Sequence, residues 1–252
     1  MDSRIEERLL ALNREFYQNL AEPFARSRRS PQPGIGVELA RVGPDLSVLD
    51  LGCGHGTLAQ ALHAQGHTGR YLGLDATPAL LERAAEWVEH RSASFRQADL
   101  ASPGWAQQTG RFDWVFCLAT LHHLPVGRQA IWAAELRLTL SGDSQVVVSV
   151  WNFLAEDGWR NRIQPWSSVG LDEGQLDPGD YLLDWRGGGH GLRYVHHFDE
   201  GELARVADWA GCRVAATHYA GSSSGRLNLI QRWQPQPAAS LSPQEPDLVR
   251  SS

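Results

Sequence analysis

A glycine-rich turn between a predicted strand and a predicted helix limits what this chain can fold into. The segment runs Ser47-Val-Leu-Asp-Leu-Gly-Cys-Gly-His-Gly56, and its apolar residues predict a buried strand at 47–51. Residues 56–65 follow with the apolar spacing of a helix. Because glycine lets the backbone approach a ligand closely, this strand, turn and helix predict a cofactor-binding site in an α/β fold.

The spacing of the glycines narrows the choice of ligand. Gly52, Gly54 and Gly56 form G-x-G-x-G, which differs from the dinucleotide motif G-x-G-x-x-G because Thr57 stands three residues after Gly54. The Gly-Lys-Ser/Thr of a phosphate-binding P-loop is also missing. Asp50, just before the glycines, would repel a pyrophosphate. It favours a ligand with an ammonium group, such as the methionine part of S-adenosylmethionine (SAM).

Acidic residues end two further apolar runs of the core. Asp75 ends the second run, where a carboxylate can accept hydrogen bonds from both ribose hydroxyls. Asp99 ends the third run and is placed to face an adenine amino group. A fourth run, 112–117, leads into His122 and His123.

The glycine turn, the two acids and the fourth strand, in this order and spacing, resemble the class I SAM-dependent methyltransferases. The resemblance implies a Rossmann-like α/β sheet of seven strands with helices on both faces, and SAM as the cofactor. The parallel strands would be followed by a C-terminal antiparallel hairpin. A nicotinamide-binding fold with an unusual glycine loop is the alternative. The predicted cofactor contacts are Asp50, Gly52, Cys53, Gly54, Gly56, Asp75, Ala76, Ala98, Asp99, Leu100, Cys117 and Leu118.

Composition excludes several other classes of protein. The 252 residues suffice for one large α/β domain, and 42% hydrophobic with 21% charged residues is ordinary for a globular protein. No apolar run reaches the roughly 20 residues of a membrane helix, and the charged start is unlike a signal peptide, so a cytoplasmic protein without membrane contact is expected.

Cysteine content and net charge bound the chemistry further. Cys53, Cys117 and Cys212 each lie in or beside apolar runs, so we expect reduced core thiols, and no metal site is predicted. A net charge of −6 argues against a general nucleic-acid-binding protein but leaves room for a local basic patch.

The alternation of apolar patterns divides the chain. Residues 1–34 form a predicted helical arm, and 35–233 the methyltransferase domain, in which 152–198 interrupt the alternation as a substrate-site insertion. Residues 234–252, rich in Pro, Ser and Gln, are predicted to be disordered. The predicted strands are 47–51, 70–75, 94–98, 112–117, 145–151, 212–219 and 226–233, and the predicted helices are 1–24, 35–43, 56–65, 77–90, 127–138 and 200–210.

Three short motifs in the arm and the insertion are more specific. They consist of Arg28, Pro31 and Pro33; of Gly179, Asp180 and Trp185; and of Arg193, Tyr194 and His196. Together they resemble the family that methylates carboxymethyl-uridine at the wobble position of tRNA. Gln32 and Asp184 depart from it, since the family has Trp and Pro there. The resemblance implies a tRNA acceptor and leaves open a small activating protein partner.

The acceptor decides which residues would act in catalysis. A carboxylate is ionised at neutral pH and needs no base, but it needs arginine to hold it. A hydroxyl or an amine would instead need His122 or His123 as a base. Each of these residues also has a structural interpretation. Arg28 could be a solvated surface charge, and His122 or His123 could pack in the core or cap the next helix. The predicted acceptor-site residues are Arg28, His122, His123, Asp180, Arg193, Tyr194 and His196.

Two other functions fit the same sequence. One is a small-molecule methyltransferase acting on a metabolite acid, phenol or amine, which the acidic composition and Gln32 favour. The other is a non-catalytic module that binds SAM and activates a partner.

Overall fold

A computed structural model describes residues 1–89 and 91–236. Its strands and helices alternate along the chain, with a helical arm before the first strand. The helices are α1 (Ser3–Asn19), α2 (Ala21–Ser27), α3 (Gly36–Leu39), α4 (Thr57–Ala64), α5 (Pro78–Trp87), α6 (Val126–Leu138), α7 (Asp157–Arg160) and α8 (Glu200–Trp209). The strands are β1 (Val48–Leu51), β2 (Tyr71–Asp75), β3 (Ala93–Gln97), β4 (Phe112–Leu118), β5 (Leu140–Trp151), β6 (Ile163–Gln164), β7 (Asp180–Trp185), β8 (Gly191–His196), β9 (Cys212–Ala220) and β10 (Asn228–Pro235).

The main sheet has seven strands in the order β3-β2-β1-β4-β5-β10-β9. Strands β1 to β5 pair in parallel, as expected for strands joined by crossover helices. Strand β10 runs antiparallel to both β5 and β9. Every residue of β1 is buried, which fits a central parallel strand covered on both faces. The architecture confirms the predicted seven-stranded sheet with its C-terminal antiparallel hairpin.

The insertion folds into a second, three-stranded antiparallel sheet in the order β6-β7-β8. Helix α1 packs on β8. Leu9 of α1 contributes to a buried cluster with Leu182 of β7 and Tyr194 of β8. The insertion is therefore an ordered support for the arm rather than an irregular loop.

The arm confirms the predicted helical spacing, with Leu9, Leu10 and Phe16 buried on one face of α1. It turns at Leu20 into the short helix α2, whose Phe24 packs with Leu80 of α5. The arm thereby spans from the small sheet to the helix that follows β2.

Several predicted boundaries were wrong by a few residues. The helix expected at 35–43 ends at Leu39, and the one expected at 77–90 ends at Trp87. Strand β5 begins at Leu140 rather than 145, because Leu140 already pairs with Phe112 of β4; the register then shifts before Gln145 pairs with Trp114.

Strand β10 includes Gln234 and Pro235, which were expected to be disordered. The rest of that predicted tail, from 237 onward, lies outside the described residues. The three cysteines are free and buried, as expected. Within 1–89 and 91–236, no helix has the length and apolar character needed to cross a bilayer.

Candidate active site

A cavity of about 290 Å³ lies at the carboxyl ends of β1, β2 and β4. Ligands of open α/β sheets bind at this edge. The arm forms one wall with Leu10, Asn13, Tyr17, Phe24 and Arg28. The opposite wall includes Gly52, Cys53, Gly54, Asp75, Ala76, Asp99, Leu100 and Leu118. The arm thus forms one wall of the cavity, whereas no residue of the insertion 152–198 lines it.

The glycine turn has the backbone that the motif predicts. Gly52 and Gly54 have φ values of 81° and 55°, in the left-handed region that favours glycine. A Cβ at Gly52 would lie 2.1 Å from Thr120 Oγ1, so a side chain does not fit there. A Cβ at Gly54 would meet nothing within 4 Å, because Gly54 faces the open cavity.

Asp75 ties the end of β2 to the glycine turn. One carboxylate oxygen accepts from Gly54 N–H at 2.9 Å, and the other accepts from Thr77 N–H at 2.8 Å. Burial raises the pKa of Asp75, and these backbone donors oppose the rise. Asp75 also lines the cavity, where its carboxylate is available to accept from a ligand hydroxyl.

Asp99 is exposed at the far end of the cavity. It accepts from Ala101 N–H at 2.9 Å and from the Ser102 hydroxyl at 3.1 Å. Arg14 of the arm lies 3.9 Å away. Asp99 thus lines the cavity, and its contact with the adenine stays a prediction.

Four predicted cofactor contacts do not line the cavity. Asp50 is only 3% exposed and accepts from the Tyr71 hydroxyl at 2.5 Å, and burial raises its pKa to about 7. It lies beneath the turn, where it cannot meet an ammonium group directly. The others are Gly56, Ala98 and Cys117. Gly56 faces Val88, and Cys117 points away because alternate residues of β4 face opposite sides, with Leu118 on the cavity side.

His123 lies at the arm side of the cavity in a fixed tautomer. Its Nδ1 is 2.9 Å from the Tyr194 carbonyl, which can only accept, so Nδ1 carries the proton. Its Nε2 therefore accepts from the Tyr17 hydroxyl at 2.8 Å. Burial lowers the pKa of His123 to about 3, so the ring is neutral at neutral pH.

His122 lies behind this wall and is fully buried. Its Nδ1 accepts from the Trp151 N–H at 3.3 Å, so in the neutral ring the proton is on Nε2. Burial lowers the pKa of His122 well below its ordinary value, and the neighbouring His123 and Arg193 add to this. The Nε2 atom has no hydrogen-bond partner among the described residues.

Two arginines converge on the ring of Trp151. The guanidinium carbons of Arg193 and Arg28 lie 4.4 Å and 5.6 Å from its centroid. Arg193 is 1% exposed, and its Nε and Nη1 atoms lack partners within the described part of the chain. Burial lowers the pKa of Arg193 to about 10, while Tyr17 opposes the effect, so the group is charged at neutral pH. The two arginines therefore lie at one place, beside Trp151.

Three residues predicted for the acceptor site form a separate network. Asp180 accepts from the Tyr194 hydroxyl at 2.8 Å and from His196 Nδ1 at 2.7 Å, and His196 Nε2 contacts Glu202 at 3.1 Å. Because alternate residues of β8 face opposite sides, Tyr194 and His196 point away from Arg193. The predicted placement of Asp180, Tyr194 and His196 was therefore wrong. They anchor the strand that carries Arg193.

Sequence reasoning missed Asn13, Trp151 and His55. Asn13 is a polar residue on the apolar face of α1, a pattern that signals a buried hydrogen-bonding role. His55 in the glycine turn donates from Nε2 to the Arg28 carbonyl at 2.7 Å, and no local pattern predicts this contact. The described residues contain no cluster of metal-binding side chains.

Part of the chain matches known proteins in sequence. Residues 48–142 match a sequence family described as a methyltransferase domain. The ubiquinone biosynthesis O-methyltransferase of Azotobacter vinelandii is 31% identical over 88 residues, which are 35% of this chain and 38% of that protein. The chain therefore aligns with less than half the length of this curated relative.

Solved structures resemble the whole fold. The 1,6-didemethyltoxoflavin-N1-methyltransferase of Burkholderia thailandensis, solved with 1,6-didemethyltoxoflavin and S-adenosylhomocysteine (SAH), gives a TM-score of 0.64 at 18% identity over 92% of this chain and 91% of its own. The magnesium protoporphyrin IX methyltransferase of Synechocystis PCC 6803, solved with SAH, gives a TM-score of 0.63 at 18% identity. The match covers 90% of this chain and 99% of that chain.

These comparisons confirm the predicted fold. The chain has the Rossmann-like fold of the class I SAM-dependent methyltransferases, and the matched segment contains the glycine turn, Asp75 and Asp99.

Proposed function

We propose that this protein is a SAM-dependent methyltransferase whose acceptor carries a carboxylate. The cavity fits the cofactor, because Gly54 faces open space and Asp75 keeps acceptor capacity toward it. Gly52, Gly54, Asp75 and Asp99 would hold SAM along this wall. When bound, SAM supplies a methyl group activated by its sulfonium, so the task of the protein is to place and orient the acceptor.

The choice of a carboxylate acceptor depends on one observation, a group of buried hydrogen-bond donors around Trp151 without partners in the described chain. Arg193 Nε and Nη1 and His122 Nε2 are buried hydrogen-bond donors without partners among the described residues. Within the described residues, neither Arg28 nor Arg193 forms an ion pair with a carboxylate, and burial is the largest cause that lowers the pKa of each. A buried charge without a counterion is costly, so an anionic group of the acceptor is the expected partner. The planar guanidinium suits a carboxylate.

The histidines favour the same acceptor over a hydroxyl or an amine. His123 already uses Nε2 to accept from Tyr17, and His122 already uses Nδ1 to accept from Trp151. Neither neutral ring keeps a free lone pair that could take a proton from a nucleophile. A carboxylate needs no such base, since it is ionised at neutral pH.

Two acceptor molecules share this chemistry. The first is a carboxymethyl-uridine of tRNA, supported by the tRNA-family motifs that contribute Arg28 and Arg193 to one site. The second is a small metabolite acid, supported by the net charge of −6 and by the small-molecule names of the neighbours, magnesium protoporphyrin IX and 1,6-didemethyltoxoflavin.

Methyl transfer from labelled SAM to fractionated cell extract tests the proposal. A methyl ester releases its label as methanol in mild alkali, whereas N-methyl and ether products do not. We expect alkali-labile label in the tRNA fraction, and label only in the metabolite fraction would favour the second acceptor. Alkali-stable label would contradict a carboxylate acceptor. Intact SAM binding with no label in any fraction would point to the non-catalytic module.

Arg193→Lys tests the anion site directly. Lysine keeps the charge but loses the planar fork, so transfer should fall more than about tenfold, equivalent to ~1.4 kcal/mol. SAH binding measured by calorimetry should stay unchanged, because Arg193 does not line the cofactor cavity.

A further inference from the structure

A second pair of aromatic and cationic side chains lies beyond the two arginines, on the insertion. Trp159 packs against Trp151 with ring centroids 5.1 Å apart. The guanidinium carbon of Arg162 lies 4.7 Å from the centroid of Trp159. Both Trp159 and Arg162 are half-buried. The four side chains therefore form a continuous row. It runs from the buried Arg193 through Trp151 and Trp159 to the partly exposed Arg162.

Arg162 adds an uncompensated charge to this stack. Within the described residues it forms no ion pair, whereas Arg160 on the same turn is paired with Asp157. Arg162 is also close enough to Arg193 for its charge to lower the Arg193 pKa. Like charges this close repel each other, and an anion bound beside them would relieve that repulsion.

The turn that carries the pair is held at both ends. The carbonyl of Arg162 accepts from Asp184 N–H of β7 at 2.9 Å. Glu156, just before α7, accepts from the hydroxyls of Ser222 and Ser224 in the loop between β9 and β10. Trp159 and Arg162 are thus positioned before a ligand arrives, which reduces the entropy lost on binding.

We propose that Trp159 and Arg162 form an outer subsite that binds a phosphate group of the acceptor beside the ring of a nucleotide. This proposal rests on the proposed function, in which the carboxylate of the same acceptor molecule is bound by Arg28 and Arg193. The guanidinium of Arg162 can bind phosphate through two parallel hydrogen bonds. The indole of Trp159, between Trp151 and Arg162, is half-buried, and its exposed part can contact the base of the same nucleotide. A free nucleotide and a nucleic acid share this chemistry.

NMR of the full chain with 15N-labelled tryptophan tests the subsite. The indole signal of Trp159 is assigned with Trp159→Phe, and the SAH-saturated protein is titrated with uridine, UMP and a short oligouridylate. UMP should shift this signal at concentrations where uridine does not. Tighter binding of the oligouridylate would identify a nucleic acid as the source of the phosphate, and equal affinity would identify a free nucleotide.

A matched pair of variants separates the subsite from general charge effects. Arg162→Gln should weaken UMP binding at least about tenfold while SAH binding stays intact. Arg160→Gln removes the same charge from the same turn, but it should leave UMP binding unchanged because Arg160 is exposed and paired with Asp157.

Two outcomes would overturn the outer subsite: equal shifts with uridine and UMP, or wild-type UMP binding by Arg162→Gln. The experiments also distinguish a failure of the subsite from a failure of the proposed function. If UMP shifts Trp159 but no carboxylate is methylated, the subsite stands and the carboxylate acceptor falls. If carboxylate transfer is observed but UMP leaves Trp159 unchanged, only the subsite falls.

Discussion

At the scale of single residues, Asp75 tests the cofactor half of the site. It receives Gly54 N–H and Thr77 N–H on its two carboxylate oxygens. Asp75→Ala removes both bonds and the acceptor proposed for the ribose hydroxyls. SAH should therefore bind more weakly by about 1–3 kcal/mol, measured by isothermal titration calorimetry.

Asp113→Ala provides the control for that variant. Asp113 also accepts two hydrogen bonds, from the Ser47 N–H and hydroxyl at 2.7 and 2.6 Å, but it is exposed and does not line the cavity. Its removal should leave SAH affinity unchanged. Equal SAH affinities of Asp75→Ala and the wild type would exclude Asp75 as a cofactor ligand.

Residues that end the core strands could be located from the sequence, but the direction of each side chain could not. Asp75 and Asp99 line the cavity as predicted, while Asp50 lies beneath the turn against Tyr71. A run of four buried residues in β1 has no alternation that would show which side faces the ligand. The direction of Asp50 depends on Tyr71, a residue of the neighbouring strand.

At the scale of secondary-structure elements, Asn13 connects α1 to the open edge of β8. Its amide nitrogen donates to the carbonyls of Tyr194 and His123, and its oxygen accepts from Tyr194 N–H at 2.8 Å. Asn13→Ala leaves the Tyr194 N–H and the His123 carbonyl without these bonds, at about 1–3 kcal/mol each, while the Tyr194 carbonyl still accepts from His123 Nδ1. Urea unfolding should show a loss of at least about 2 kcal/mol in the free energy of unfolding.

The exposed Asn19 near the end of the same helix is the matched control. Asn19→Ala should change the free energy of unfolding by less than about 0.5 kcal/mol. A loss for Asn13→Ala no larger than that for Asn19→Ala would mean that α1 is not held to β8 through this side chain.

The network behind β8 predicts a pH dependence of stability. Burial lowers the pKa of His196, but hydrogen bonds to Asp180 and Glu202 outweigh it and raise the pKa to about 9 from 6.5. The folded state thus holds the proton more tightly than the unfolded state. The stabilisation is full below pH 6.5 and is lost as the pH rises through about 9.

Melting temperatures of the wild type and His196→Gln across this range measure the effect. The wild type should melt higher at pH 6, and its advantage should shrink steadily toward pH 9.5. A constant difference over the whole range would show that folding does not raise the pKa of His196.

Elements with local apolar patterns were predictable, and the small sheet of the insertion was not. Helices α4 and α6 and strands β2 and β4 lie within one or two residues of their predicted bounds. In β7, Leu182 and Leu183 are adjacent and both fully buried, because the strand is covered on both faces. Helix α1, which is distant in the sequence, covers one face of β7. Apolar and polar residues therefore do not alternate along β7, and the local sequence does not show a strand pattern.

At the scale of the whole molecule, the arm links the cofactor and acceptor halves of the site. Tyr17 contacts both the cavity and His123, and Arg28 lies between the cavity and Trp151. The carbonyl of Arg28 is held by His55 of the glycine turn. Such contacts join segments that are remote in sequence, which is why the spacing of apolar residues predicted the helices of the arm but not the residues that attach it to the core.

Cofactor binding should therefore rigidify α2. Phe24 and Arg28 line the cavity, so a bound cofactor adds contacts to this short helix that the free protein lacks. Hydrogen–deuterium exchange of residues 20–28 should slow about tenfold with saturating SAH, since a ligand stabilises the closed form by mass action.

His55→Ala tests how that effect is transmitted. The variant removes the hydrogen bond from the glycine turn to the Arg28 carbonyl but leaves Asp75 and its two backbone donors in place. SAH should still bind, yet slow exchange in 20–28 much less than in the wild type. If the variant and the wild type gain the same protection, direct contact with Phe24 alone orders the arm. If neither gains any, the arm is not the lid of the cofactor site.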